Sequence, residues 1–266
     1  MKIDRKKTAE AFSRYAEQYD LSDLKIRLKY DHTFRVAELS DRIAQSLSLP
    51  GDDCDLAWLL GILHDIGRFE QLRRFGTFQD KVSVNHAALS ADLLFRQGLI
   101  ADFVTDSSEN SLMEKAVRLH NVLSLPEMTE REYVFCTILR DADKIDIVRV
   151  NAELPRTEIY DLPEEAFTDS AVSDAVFDDI LHERNVDRTN VRPGIDLIIG
   201  QISFVFGLVW PESVRLMKDQ GYLARVLGFQ SRNAETRRRM QVIRQKVSAY
   251  MDRRIRENSS LPPKAV

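Results

Sequence analysis

The sequence predicts an all-α fold, and three observations carry that prediction. Apolar residues recur at three- and four-residue steps through several long stretches. Period-two alternation is scarce. Helix-capping and helix-stopping residues punctuate the periodic stretches at the intervals that helices need.

The elements follow in order. Leu28, His32, Val36, Leu39, Ile43 and Leu47 share one helix face, and Pro50-Gly51 is expected to end that helix. Asp52 or Asp53 can cap the next, which runs through Leu56, Leu59, Leu60 and Leu63 to His64. Gly67 is expected to turn the chain away just after Asp65. Residues Arg68 to Lys81, with Phe69, Phe75 and Phe78, read as a charged, aromatic-bearing loop. Ser83 can cap a helix carrying His86, Leu89, Leu93 and Leu94, closed by Gly98. Ser111 with Glu114, and Thr129 with Glu132, have capping-box spacing. They precede helices through His120 and through Cys136, Leu139, Asp143 and Ile147.

Beyond residue 150 the prediction is a helical extension over 151–258. It contains a short helix from about Ser170 to Arg184, an apolar helix over 195–209 and a final amphipathic helix from about Ala234 to Glu257. The expected organisation is a metal-binding core over 1–150, the extension packed upon it, and a frayed tail at 259–266.

Composition narrows the function. The chain has 266 residues, 44% hydrophobic and 30% charged, which suits a packed globular protein rather than a disordered one. A net charge of -4 gives no general attraction to nucleic acid or anionic membranes, so neither is an expected partner. Arg237-Arg238-Arg239 reads as a solvated helix face. Cys54 and Cys136 are too few for a disulfide framework and sit in apolar contexts, as buried free thiols do. The charged N-terminus is not followed by the apolar core of a signal peptide. The run Ile195 to Trp210 is short of a membrane span and interrupted by Asp196, Gln201 and Ser203. A cytoplasmic protein is therefore expected. The same apolar run and the last amphipathic helix offer surfaces for a homo-oligomer.

The most informative segment is Leu59 to Arg68, where an apolar helix ends in His64-Asp65-Ile66-Gly67-Arg68. Polar groups of this kind are costly to bury without partners. His32 lies upstream, and His86, His120 and Asp143 lie downstream. The fifth histidine, His182, falls in a polar stretch and reads as a surface residue. Imidazole and carboxylate are natural ligands for divalent transition metals. His64 and Asp65 diverge by about 100° on a helix, so they can share a metal only near a helix end or bend. His32 and Asp143, from distant helices, would close that site.

The order His32, His64-Asp65, Asp143 resembles the HD superfamily of metal-dependent phosphohydrolases, and His86 and His120 resemble its two-metal branches. The flanking words Asp31-His32-Thr33, Asn85-His86, Leu119-His120-Asn121 and Asp141-Ala142-Asp143-Lys144 agree. The resemblance covers roughly residues 20 to 150. It implies an HD-type helical array in which His32, His64, Asp65, His86, His120 and Asp143 hold one or two divalent metals. The metal that the resemblance implies is one of Mn, Ni, Co, Fe, Zn or Mg. It also implies that Asp65 bridges the two metals. A small phosphorylated substrate, such as a nucleotide, would be hydrolysed by a metal-activated hydroxide, with Asp65 central to the chemistry. Arg68 and Lys144 flank the ligands as candidates to hold phosphate oxygens. Arg73 and Arg74 are weaker candidates, and Asn85 and Asn121 could orient water or a ligand. The same ligands also resemble those of HD-type di-iron oxygenases that cleave C–C or C–P bonds with O2. A non-catalytic nucleotide-binding module is the third reading. The chain departs from the cyclic-di-GMP phosphodiesterase branch, because His120-Asn121-Val122 replaces a doubled histidine and no Gly-Tyr-Pro follows.

Overall fold

The computed structural model describes residues 1–257, and the tail expected at 259–266 lies outside them. The described residues are helical, with no strand among them. The chain divides into two compact units, Met1–Asp143 and Lys144–Val266.

In the first unit, Asp4 caps α1 (Arg5–Ala16) by accepting from the Lys7 amide, and Asp23 caps α2 (Leu24–Ser46) through the Lys25 amide. α2 buries Val36, Ala37, Leu39 and Ile43 along the stripe read from the sequence. α3 (Gly51–Leu63) buries almost its whole circumference beyond Asp55. Pro50-Gly51 starts this helix rather than ending the previous one. α2 stops at Leu47, and Ser48 then adopts a positive φ of 56°. Asp52 and Asp53 fall inside the first turn, where they favour the positive end of the helix dipole without serving as caps.

The segment expected to be a loop is largely α4 (Ile66–Phe75), followed by a short 3-10 turn over Asp80–Val82. Its aromatic residue Phe69 is fully buried against Phe12 and Tyr15, at ring distances of 5.8 Å each. The charges that suggested a loop are answered within the helix, where Arg73 and Arg74 both pair with Glu70. Gly67 is likewise helical. Its lack of a side chain serves a close approach: a Cβ there would lie 2.6 Å from the Ser90 amide nitrogen and 2.9 Å from the His86 carbonyl oxygen. The bend sits two residues earlier, at Asp65, whose φ of -107° and ψ of 16° separate α3 from α4.

α5 (His86–Ala91) is capped by Asn85 rather than Ser83, because the Asn85 side chain accepts from the Ala88 amide. It runs into a π-helical segment over Asp92–Arg96. α6 (Asn110–Leu119) begins before Ser111, so the expected Ser111–Glu114 box does not form. The Thr129–Glu132 box does form. The Thr129 amide donates to Glu132 Oε2 at 2.9 Å, and the Glu132 amide donates to Thr129 Oγ1 at 3.3 Å. It opens α7 (Glu130–Glu153), the continuous helix in which the first unit ends and the second begins.

The second unit contains α8 (Arg156–Tyr160), α9 (Glu164–Thr168), α10 (Asp174–Leu181), α11 (Ile195–Ile202), α12 (Pro211–Asp219), α13 (Tyr222–Leu227) and α14 (Ala234–Arg256). The expected helix over 195–209 changes pitch at Ser203 and continues as 3-10 to Gly207. Buried Asp196 accepts from the Ser173 amide at 2.9 Å and the Arg192 amide at 3.3 Å, tying two loops to the start of α11. α14 buries Met240, Ile243, Val247 and Tyr250, while Arg239 pairs with Asp174 and Glu235. Cys54 and Cys136 are buried free thiols. Among the described residues no helix is long and apolar enough to cross a membrane.

Candidate metal centre

The six predicted ligands come together within the first unit. His32 projects from α2, His64 and Asp65 occupy the joint between α3 and α4, His86 opens α5, His120 closes α6, and Asp143 lies on α7. The four imidazoles form a contiguous chain, with ring centroids 5.3 Å apart for His32–His64, 5.2 Å for His64–His120 and 4.9 Å for His86–His120. All six residues are buried.

The ligand atoms form two clusters, His32–His64–Asp143 and Asp65–His86–His120. Asp65 faces both. Its Oδ2 lies 3.7 Å from the Nε2 atoms of His32 and His64. Its Oδ1 lies 3.6 Å from His86 Nε2 and 3.7 Å from His120 Nε2. Asp143 Oδ1 completes the first cluster, 3.2 Å from His32 Nε2 and 3.7 Å from His64 Nε2. Ligands about 2.1 Å from a common metal lie roughly 3.0–3.4 Å apart at tetrahedral or octahedral angles. These separations are within a few tenths of an ångström of that range.

Proton positions strengthen the fit. A carbonyl can only accept, so the contacts His64 Nδ1–Gly61 O (2.8 Å) and His120 Nδ1–Val117 O (2.7 Å) put the imidazole proton on Nδ1. Asp80 Oδ2 does the same for His86 Nδ1 at 2.7 Å. Each Nε2 therefore presents a bare lone pair to the centre. The Nε2 atoms of His86 and His120 face each other at 3.0 Å. Two lone pairs so opposed repel unless a cation lies near, and Asp65 Oδ1 is buried beside them with no hydrogen bond. This donor set suits divalent transition metals.

Electrostatics keep the ligands in metal-binding form. Burial would raise the Asp65 carboxyl, but Lys29, His64, Arg68 and His86 hold it well below the usual carboxylate range. Burial opposes ionisation of Asp143 in the same way, and the neighbouring His32 and His64 imidazoles outweigh it. Burial pushes His120 down to about 3, aided by His86 and His64. Burial and Arg68 depress His86.

Residues around the ligands were partly missed by sequence reasoning. Lys29 places Nζ 2.7 Å from Asp65 Oδ2. It precedes His32 by one helical turn, and that spacing was the available signal. Asp80 orients His86 and also accepts from Arg68 Nη1 at 3.1 Å and Gln71 Nε2 at 3.0 Å. Lying in the short 3-10 turn after α4, it offered no periodic signal. Arg140 is buried and donates to the carbonyls of Leu119 (3.0 Å), Val122 (2.6 Å) and Leu123 (3.1 Å), holding the turn that carries His120.

Of the predicted phosphate binders, Arg68 lies at the centre, with Nε 3.6 Å from Asp65 Oδ1 and Nη2 3.3 Å from His86 Nε2. Lys144 Nζ donates to the Gly207 carbonyl at 2.7 Å within the second unit. Asn121 reaches Asp80 Oδ2 at 3.4 Å and Asn85 Oδ1 at 3.3 Å. Arg73 and Arg74 are occupied by Glu70. His182 is exposed.

Helices that contribute imidazoles and carboxylates to one buried centre fit the way helical proteins build metal sites. Residues 30–147 match the HD-domain family. Over that stretch, a little under half of its length, the chain is similar to the HD domain. Comparison with curated proteins and with solved structures returned no match.

Proposed function

We propose that the chain is a metal-dependent phosphohydrolase that cleaves a phosphate ester of a nucleotide or a related small phosphorylated molecule. The observation that carries this reading is the Asp65 carboxylate, whose two oxygens face separate histidine pairs at 3.6–3.7 Å. Divalent metal bound there would supply an activated water at neutral pH and would stabilise charge developing on phosphoryl oxygens.

The chain's own residues prepare that chemistry. His32, His64 and Asp143 would hold one metal and His86 and His120 the other, with the Asp65 carboxylate available to each cluster. Lys29 and Arg68 both face Asp65 and offset its charge in the metal-free centre. Metal binding then leaves the pocket strongly positive, which favours an anionic substrate. Arg68 is the phosphate-binding candidate at this centre, because its Nε is buried there without a hydrogen bond.

The test is elemental analysis together with phosphate release across a nucleotide panel. The proposal expects up to two non-iron divalent metals per chain, and loss of both metal and activity in Asp65→Ala. Full hydrolysis by Asp65→Ala refutes it. Two irons with O2 uptake and no phosphate release would assign the oxygenase chemistry instead.

A further inference from the structure

The second unit holds a recess of about 210 Å³ with no role in the metal centre. Asn151, Arg156, Tyr160, Ile198, Gln201 and Arg225 line it, and none of its lining residues is acidic. One buried water needs about 10–15 Å³ of such space, so the recess admits a small organic molecule.

The positive charge at this recess is only partly answered by protein. Arg156 donates to Glu164 at 3.3 Å across an exposed surface, and its guanidinium lies 4.7 Å over the Phe229 ring. Arg225 has no carboxylate partner among the described residues and packs 6.0 Å over Tyr222. Arg188 adds positive potential toward Tyr160. The polar wall is different. Tyr160 donates to Asn151 Oδ1 at 2.6 Å, and Asn151 Nδ2 donates to the Ile147 carbonyl at 2.9 Å, so these groups are satisfied. Gln201 Oε1 is buried with no hydrogen-bond partner. A buried acceptor left unpaired costs about 1–3 kcal/mol, and only a donor can relieve it.

An occupant must therefore bring negative charge for the guanidinium groups and a donor for Gln201. A carboxylate has two oxygens, enough for one guanidinium fork. A phosphoryl group has three and can serve two. We propose that this recess binds a small phosphorylated polyol, its phosphoryl group held by Arg156 and Arg225 and one hydroxyl donating to Gln201 Oε1. This site does not depend on the chemistry assigned to the metal centre.

Calorimetric titration of the full chain at fixed ionic strength tests it, with glycerol 3-phosphate, inorganic phosphate and glycerol as probes. Wild type and Asp65→Asn are compared with Arg225→Gln and Gln201→Leu, each checked for native helicity. Glycerol 3-phosphate should bind wild type and Asp65→Asn alike, about tenfold tighter than inorganic phosphate, and glycerol should not bind. Arg225→Gln, an exposed position, should weaken it at least tenfold. Gln201→Leu should erase the preference over inorganic phosphate. Three results would each overturn the proposal. One is no binding. Another is binding lost in Asp65→Asn but kept in Arg225→Gln, which places the anion at the metal centre. The last is equal affinity for the two phosphates in wild type.

Discussion

Replacing Gly61 by alanine tests how the metal centre is built. Gly61 lies on α3, where a Cβ would sit 2.4 Å from Ala37 Cα, 2.6 Å from Ala37 N and 3.0 Å from Val36 C. All three are main-chain atoms of α2, so no side-chain rotation relieves the overlap. Carbon atoms at rest lie about 3.5–4.0 Å apart, so the helices must separate by roughly 1 Å. α2 carries His32 and α3 delivers His64, whose ring is also held by the Gly61 carbonyl. Helix propensity alone predicts that alanine stabilises by about 1 kcal/mol. Overpacking costs typically 1–3 kcal/mol, and more where backbone meets backbone. We expect a net loss of about 2 kcal/mol, or roughly 4–8 °C in Tm for a protein of this size. The His32–His64–Asp143 cluster should lose metal before the other. Calorimetry of the metal-free chain and elemental analysis of the loaded one give both readouts. Gly51→Ala is the control, since nothing lies within 4 Å of its Cβ. A Gly61→Ala chain as stable as wild type, with full metal, would refute direct backbone packing of α2 on α3.

Three further outcomes are expected. Asp80→Asn removes the carboxylate that orients His86, so metal affinity at the Asp65–His86–His120 cluster should fall about 10–100-fold with little change in Tm; unchanged affinity by competitive titration would deny Asp80 that role. His120 and His86 are both depressed by burial, so the unfolded chain takes up protons first as pH falls below about 6.5. The metal-free protein should thus keep its full stability above that pH and lose it progressively toward pH 3, with His120 contributing of order 5 kcal/mol; a Tm flat between pH 7 and 5 contradicts this. Thr129→Ala breaks the capping box of α7 and should cost about 1 kcal/mol, measured by urea unfolding; no loss would mean the cap is not used in solution.

What the sequence determined was local or chemical in kind. The stripe on α2 and the Thr129–Glu132 box follow from periodicity and three-residue spacing, which act within one or two turns. The candidate ligands were legible because His32, His64-Asp65, His86, His120 and Asp143 stand in the order of the family that the sequence resembles, since a lone histidine on a helix face is more often a hydrogen-bonded core residue. Tertiary structure decided how they meet. It turned the supposed loop after Asp65 into α4, because burying Phe69 against Phe12 and Tyr15 outweighs the charges on its outer face. It also made Gly67 a point of close approach to Ser90 rather than a turn. Lys29 and Asp80 joined the centre only through packing, and so did the division of the Asp65 oxygens between two histidine pairs. Periodicity and caps reach a few residues along the chain, whereas these contacts join groups that only the packing of separate helices brings within a few ångströms.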